Sequence, residues 1–258
     1  MACTVIQSNS SASVKWSTEW RSCLAFCLRP RLARYPNRQS KTSGWLQDWL
    51  PTFSIGRLFA WGLTLWVINL FILGPIVVGV VKDMGADPLL DPKNLPWLLA
   101  IVWAPIVEEL LFRFGLRRPV QALWVVPLLC LAIWHGPGWV QSIMIAVAIL
   151  LAVQSTRQVK FLSARGFRGL RQYRYYFPWV MHLALLGFAG LHILNFKFTD
   201  INLLMLPLLV MPQWLAGLVM SWVRVTRSLA DAMWLHALYN FGPLLVAWVV
   251  ISMGWSNG

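Results

Sequence analysis

The chain has 258 residues, of which 58% are hydrophobic and only 12% are charged, and its mean hydropathy is +0.61. This balance places it among membrane proteins before any motif is considered. The formal net charge of +13 would suit nucleic acid. However, the basic residues cluster at the ends of apolar segments, as in membrane proteins, so we expect no nucleic-acid partner.

Seven apolar segments follow one another along the chain. Their approximate boundaries are 58–81, 96–112, 119–134, 139–153, 177–196, 201–222 and 229–253. A spanning helix needs roughly 20 apolar residues, and a bilayer favours helices because their backbone polar groups are satisfied internally. The third and fourth segments are short and are joined by "HGPGW", which also suits a tight hairpin or a re-entrant pair. We therefore predict an all-α fold, a polytopic transmembrane helical bundle with about seven membrane spans, within a range of six to eight.

Charge is distributed unevenly between the two ends of these segments. Residues 154–176 contain six Lys and Arg and no acidic residue, and residues 1–57 contain eight basic and two acidic residues. The loops on the opposite side carry acidic residues, and an excess of Lys and Arg marks cytoplasmic loops. We therefore expect a basic N-terminal cytoplasmic tail over 1–54, a transmembrane domain over 55–258, and a basic cytoplasmic loop over 154–176 that faces anionic lipid.

The first ~45 residues are rich in Ser and Arg and lack the apolar core of a cleaved secretory signal. Their composition is also compatible with an organelle transit peptide. The simpler interpretation is the basic cytoplasmic tail of a bacterial membrane protein. We therefore expect an integral protein of the bacterial cell inner membrane with a cytoplasmic N-terminus, and an organelle membrane is the alternative.

The stretch "VEELLFRF" places two adjacent glutamates in the second apolar segment. An ionised carboxylate at bilayer depth costs several kcal/mol unless it is paired, lines a wet cavity or has a function. Glu109 and Arg113 are four residues apart, so they share one helix face and neutralise each other. Glu108 is turned by about 100° and lacks that partner. We therefore predict Glu108 as the general base and the Glu109–Arg113 pair as its support; an ion pair that only fixes helix packing is the alternative.

Two later segments also carry polar groups. The stretch "GFAGLHILNF" places His192 in the fifth segment, four residues after Phe188. The stretch "WLHALYNF" places His236 and Asn240 four residues apart, on one face of the seventh segment. A lone histidine in a membrane helix is more often a packing residue. Glutamate, histidine and asparagine from three helices can together deprotonate a water and donate hydrogen bonds to an oxyanion.

The three stretches together resemble the CPBP family of CAAX proteases and bacteriocin-processing enzymes, also called Abi. The matched motifs are EExxxR (Glu108, Glu109, Arg113), FxxxH (Phe188, His192) and HxxxN (His236, Asn240). Each motif alone is weak, but their order on three separate apolar segments is fairly specific. The resemblance covers about 95–245, which we take as the CPBP-like core.

The resemblance implies an intramembrane endopeptidase with its site in a water-accessible cavity. In such enzymes the first glutamate and the second-motif histidine activate a water, which assigns that role to Glu108 and His192. The third motif stabilises the oxyanion, which assigns His236 and Asn240. The family is often labelled metalloprotease, yet this mechanism requires no cofactor; the residues are also of types that bind zinc, so the metal stays open. The implied partners are the bilayer and a membrane-associated peptide or protein substrate.

Two alternatives remain open at this stage. In the family the second motif usually follows the first closely, whereas here 74 residues separate Arg113 from Phe188; His135, in "LAIWHGPG", therefore competes with His192. In function, the endopeptidase would serve CAAX-type processing, bacteriocin maturation or self-immunity. A non-enzymatic membrane transporter or partner-binding immunity subunit is the rival, since intramembrane Glu and His also mark ion pathways.

Overall fold

The computed structural model describes residues 16–32, 48–89, 94–134, 136–157, 164–199 and 201–253. The elements are α1 (Trp16–Leu28), α2 (Ile55–Ile68), α3 (Gly74–Asp83), β1 (Ala86–Pro88), α4 (Ala104–Phe112), α5 (Phe114–Arg117), α6 (Pro119–Ile133), α7 (Trp139–Arg157), α8 (Ala164–Leu191), β2 (Phe196–Phe198), α9 (Leu206–Leu209), α10 (Met211–Thr226) and α11 (Leu229–Ser252). Helices dominate, and the prediction of an all-α membrane bundle is confirmed in this general form. Two strands of three residues, which the sequence analysis did not predict, form one antiparallel pair.

Three helices are long and apolar enough to cross a bilayer. They are Ile55–Asp83, Arg168–Asn195 and Leu229–Ser252, and they coincide with the first, fifth and seventh predicted segments. The first of these combines α2 and α3 through a π-helical turn at Asn69–Leu73. At 1.5 Å per residue these helices extend for about 36 to 44 Å, which exceeds the hydrocarbon thickness of a bilayer.

The other four predicted segments form shorter helices. Pro119–Leu131 in α6 and Trp139–Gln154 in α7 are apolar but short, and α6 and α7 pack against each other. The turn between them includes Gly136, whose φ of 79° suits glycine because it lacks a Cβ. The count of about seven membrane spans stays a prediction.

The core of the bundle is built around α10. Eleven of its sixteen residues are buried, and the helix packs against α8, α11, α5 and α1. Among its buried side chains are Met220, Trp222 and Val223. A helix that is enclosed on all sides in this way holds its neighbours at fixed distances. It thereby places α8 and α11, which carry the second and third motifs, on a common support.

The first described helix, α1, packs on the membrane body. Its Glu19 is buried and forms ion pairs with Arg57 at 3.5 Å and Arg227 at 3.3 Å. The indole Nε1–H of Trp61 donates to the same carboxylate. Burial of a charge is tolerated when it is paired and hydrogen-bonded. Helix α1 is therefore attached to the membrane body through a buried carboxylate.

A second acidic residue of the N-terminal region, Asp48, is also buried against the body. Its carboxylate pairs with Arg224 of α10 at 2.8 Å and with Arg118 at 2.9 Å. The Arg224 guanidinium in turn donates to the backbone carbonyl of Arg113, where α4 ends. This network connects the N-terminal segment to the end of the helix that carries both glutamates.

The predicted basic loop 154–176 differs from the structure. Helix α7 extends to Arg157, and α8 begins at Ala164. Residues 164–176 are therefore helical, and residues 158–163 lie outside the described part of the chain. The run of basic residues predicted a loop here, but Arg, Leu and Gln favour helices. A helix can continue past the bilayer when charged residues occupy its solvated turns.

Asp231 at the start of α11 holds the segment that precedes α2. Its carboxylate accepts hydrogen bonds from Thr52 N at 2.9 Å, Thr52 Oγ1 at 2.6 Å and Phe53 N at 2.9 Å. It also accepts one from Ser228 Oγ at 2.8 Å. All these donors are aimed at a carboxylate that is completely buried.

We expect Asp231→Asn to lower the free energy of unfolding by about 2 kcal/mol, because the new amide N–H₂ would face hydrogen-bond donors. Thermal unfolding in detergent, followed by tryptophan fluorescence, measures the change. Asp83→Asn is the matched control, since Asp83 is exposed at the end of α3. Equal stability of the two variants would contradict the prediction.

Candidate active site

Helix α4 positions the two adjacent glutamates. It follows a π-helical turn at Leu99–Trp103, has Pro105 in its first turn, and ends at Phe112. Because neighbouring helical residues point about 100° apart, the two carboxylates have different surroundings. The Glu109 side chain is fully buried, whereas the Glu108 side chain is 25% exposed.

Glu109 lies between an arginine and a histidine. Its Oε1 is 2.9 Å from Arg113 Nη1 and 2.9 Å from His236 Nδ1. All three side chains are at most 1% exposed. A carboxylate can only accept, so Nδ1 of His236 carries a hydrogen and Nε2 points away from Glu109. The predicted Glu109–Arg113 pair is present, and it orients His236.

Glu108 has no such partners. Its Oε2 is 3.8 Å from His236 Nε2, which is too far for a hydrogen bond. This oxygen has no hydrogen-bond partner among the described residues. The imidazole of His236 therefore lies between both glutamates: it is bound to one and faces the other. The sequence analysis grouped His236 with Asn240 and missed its contact with the glutamate pair, because the contact joins residues 127 positions apart.

His192 begins the 3₁₀ turn His192–Asn195 that follows α8. This position falls within the fifth predicted segment, 177–196, and within the candidate span Arg168–Asn195. Its Nδ1 is 2.9 Å from the carbonyl oxygen of Phe188, which can only accept. Nδ1 thus holds the hydrogen, and Nε2 is left with a lone pair. The imidazoles of His192 and His236 both pack against the ring of Phe188. The competing His135 lies outside the described residues.

Phe188 is the aromatic centre of the cluster. Its ring lies 3.7 Å from the Arg113 guanidinium carbon, 4.9 Å from the His192 ring and 5.7 Å from the His236 ring. The side chain is buried. The FxxxH spacing identified this residue, but only the packing shows that one ring touches all three polar groups.

We expect Phe188→Leu to lower the free energy of unfolding by about 2 kcal/mol, because a desolvated cation–π contact is lost with little change in volume. The rate of peptide cleavage should fall as well, since both imidazoles lose a packing surface. The matched control is Phe59→Leu on α2, where the side chain is 54% exposed. Thermal unfolding and cleavage assays on both variants test the prediction; equal losses in both would contradict it.

Asn240 lies one turn after His236 on α11. Its Nδ2 donates to the carbonyl oxygen of Ala100 at 2.8 Å. In the π-helical turn the N–H of Ala104 bonds to Leu99, and Pro105 has no N–H to offer Ala100. The asparagine therefore satisfies an otherwise unused carbonyl and ties α11 to the entry of α4. An amide NH₂ has two hydrogens, so one remains for a ligand.

The donor set does not fit a zinc centre in the part of the chain that the structure describes. No three His, Cys, Asp or Glu side chains converge there as metal ligands, and zinc sites use at least three protein ligands. Oε1 of Glu109 and Nδ1 of His236 are bound to each other and to Arg113. The chemistry available at the site is that of carboxylate, imidazole and amide.

The fold and the site define a class, that of helical integral membrane proteins with a buried glutamate–histidine–arginine centre. A family model described as Type II CAAX prenyl endopeptidase Rce1-like matches residues 92–242, more than half of the chain. The chain belongs to this family, and it is a membrane protease. The resemblance seen in the three motifs is thereby confirmed, and all three motifs lie inside the matched region. No curated protein and no solved structure matches the chain.

Proposed function

We propose that the chain is an intramembrane endopeptidase in which Glu108 and His192 activate the attacking water. The observation that carries this proposal is the unequal pairing of the two glutamates. Arg113 and His236 both bind Oε1 of the fully buried Glu109. Glu108 is 25% exposed, and its Oε2 has no hydrogen-bond partner among the described residues and lies 3.8 Å from His236 Nε2. A carboxylate without a hydrogen-bonding partner is free to accept a proton from water.

The first step is attack by water on the scissile carbonyl carbon. A water between Glu108 and the unprotonated Nε2 of His192 gives one proton to the carboxylate as its oxygen bonds to the carbon. The carbonyl π-electrons move to the oxygen and form a tetrahedral oxyanion. When the intermediate collapses, the C–N bond breaks and the proton held by Glu108 passes to the leaving amine. Water is consumed, and a carboxylic acid and an amine are produced.

His236 and Asn240 stabilise the oxyanion in this proposal. Glu109 accepts the Nδ1 hydrogen of His236, and in this proposal His236 binds a second proton at Nε2 from solvent before the water attacks and returns it to solvent after the product leaves. Its Nε2–H and the second amide hydrogen of Asn240 are donors that strengthen as negative charge develops. Arg113 keeps Glu109 ionised and fixed and does not itself contact the substrate.

The substrate proposed for this site is a membrane-associated peptide or protein, of CAAX type or of the kind used in bacteriocin maturation and self-immunity. The reaction as written needs no cofactor. We further propose residence in the bacterial cell inner membrane with a cytoplasmic N-terminus. The division at residue 54 and the seven-span topology are retained as proposals of the same kind.

The test is cleavage of defined peptides by the purified chain in lipid nanodiscs. A farnesylated CAAX peptide, the same peptide without the lipid, and a scrambled sequence are compared by mass spectrometry for release of the C-terminal tripeptide. Wild type is compared with Glu108→Gln, and Asp83→Asn serves as the control. Release of the tripeptide from the farnesylated peptide alone, and by wild type and the control alone, supports the proposal. Cleavage of all three peptides at the same rate, or full activity of Glu108→Gln, contradicts it.

A further inference from the structure

A concave pocket of about 750 Å³ lies between the end of α1 and the middle of α8. It shares no residue with the candidate active site. Its apolar lining includes Leu28, Leu32 and Pro178. Its volume is within the range of small-ligand sites, and it combines apolar walls with charged groups.

Three arginines supply the charge of this pocket: Arg29 and Arg31 from α1 and the residues after it, and Arg174 from α8. None of them forms an ion pair with a carboxylate among the described residues, and no Asp or Glu lines the pocket. The buried arginines of the bundle behave differently, since Arg113 and Arg224 each have a carboxylate partner. All three arginines are exposed, so their side chains can turn toward an anion bound in the concavity.

An apolar surface continues from the pocket along α8. Next to the pocket Tyr175, Tyr176 and Trp179 are exposed, by 77%, 56% and 71% respectively. Such amphipathic rings are typical of the headgroup level of a bilayer. One and two turns further on, Leu183 and Leu186 are also exposed, by 67% and 59%. This order of charge, aromatic ring and aliphatic side chain matches the order of headgroup, glycerol and acyl chain in a lipid.

We propose that this pocket binds the phosphate of an anionic glycerophospholipid, with the guanidinium groups of Arg29, Arg31 and Arg174 around the phosphate and the acyl chains along α8. Arginine binds phosphate through charge-assisted and often bidentate hydrogen bonds. A neighbouring depression of about 340 Å³ also contains Arg29 and Arg31 and provides room for the rest of the headgroup. A free phosphate ion would use none of the apolar surface. The bound lipid would tie α1 to α8.

The experiment uses the full chain in phosphatidylcholine nanodiscs that contain phosphatidylglycerol, with retained lipid measured by native mass spectrometry. The pocket variant is Arg29→Gln/Arg31→Gln/Arg174→Gln. The matched control is Arg21→Gln/Arg168→Gln/Arg171→Gln, which removes the same charge from equally exposed positions of α1 and α8 that do not line the pocket. We expect the amount of phosphatidylglycerol that the pocket variant retains to be lower than that of the control by about tenfold or more. A decrease of this size corresponds to the loss of one or more charged hydrogen bonds.

Two results would overturn the proposal. One is equal retention of phosphatidylglycerol by the pocket variant and the control, because general surface charge would then explain binding. The other is displacement of the lipid from wild type by millimolar inorganic phosphate, which would make the pocket a site for the free ion. Thermal unfolding of both variants in phosphatidylcholine alone checks that each one is folded. Lipid retention is measured without peptide, so the outcome is independent of protease activity.

Discussion

We expect Glu108→Gln to lower the rate constant of peptide cleavage by about 10²- to 10⁴-fold, the usual contribution of a general base, and to leave the stability of the chain nearly unchanged. Glutamine has the same shape but cannot accept a proton from water. The native carboxylate has an oxygen, Oε2, without a hydrogen-bond partner among the described residues, and this oxygen is 3.8 Å from Nε2 of His236. Its replacement therefore breaks no hydrogen bond of that oxygen. The measurement is single-turnover cleavage in nanodiscs together with thermal unfolding.

The separation of activity from stability is what makes this test sharp. Asp83→Asn removes one carboxylate charge from an exposed helix end and should keep full activity. If Glu108→Gln cleaves as fast as wild type, the base is another group. If it unfolds easily, Glu108 has a structural role that its contacts do not indicate. Substrates then follow from a proteomic comparison of membranes that contain wild type or Glu108→Gln.

Local contacts of the site were accessible from the sequence, whereas contacts between helices were not. The Glu109–Arg113 pair follows from a spacing of four residues, and the structure contains it. The contact of His236 with Glu109 depends on how α11 packs beside α4, and no local pattern encodes that distance. The same holds for Phe188, which the FxxxH spacing marks but whose contact with Arg113 arises from tertiary packing.

Length and hydropathy predicted the long helices well because each of them satisfies its own backbone. The three candidate spans coincide with predicted segments. Shorter segments were harder to interpret. Helix α10 is enclosed by protein, and an apolar run of its length suits a buried core helix as well as a short span. An apolar composition of this length is therefore found both in helices buried in protein and in helices that face lipid.

In the N-terminal region the net charge does not indicate what the individual acidic residues contact. Summed over residues 1–57 the charge is strongly positive, which predicts a basic cytoplasmic tail over 1–54. The two acidic residues of that region are the ones that bind it to the body: Glu19 pairs with Arg57 and Arg227, and Asp48 with Arg224. Their scarcity indicates this role, because an acidic side chain surrounded by many basic ones readily forms an ion pair.

The second glutamate of the pair should behave in the opposite way to the first. Glu109→Gln is expected to lower the free energy of unfolding by about 3 to 5 kcal/mol, because it leaves the Arg113 guanidinium buried without a counter-charge. Arg113 is 1% exposed, so water does not compensate. His236 also loses the acceptor of its Nδ1–H, and cleavage falls with it. Unfolding in detergent, monitored by tryptophan fluorescence, gives the change.

The double variant Glu109→Gln/Arg113→Met separates a buried charge from a general packing defect. Removing both charges and keeping the volume should restore much of the lost stability, as replacement of a buried ion pair by apolar groups often does. Activity should stay low, since His236 is still without its carboxylate. If the double variant is as unstable as Glu109→Gln alone, the loss does not come from the unpaired guanidinium. If it regains activity, Glu109 does not orient His236. In that case Glu108 and Glu109 would not have the separate roles, catalysis for Glu108 and support of His236 for Glu109, that their different side-chain contacts imply.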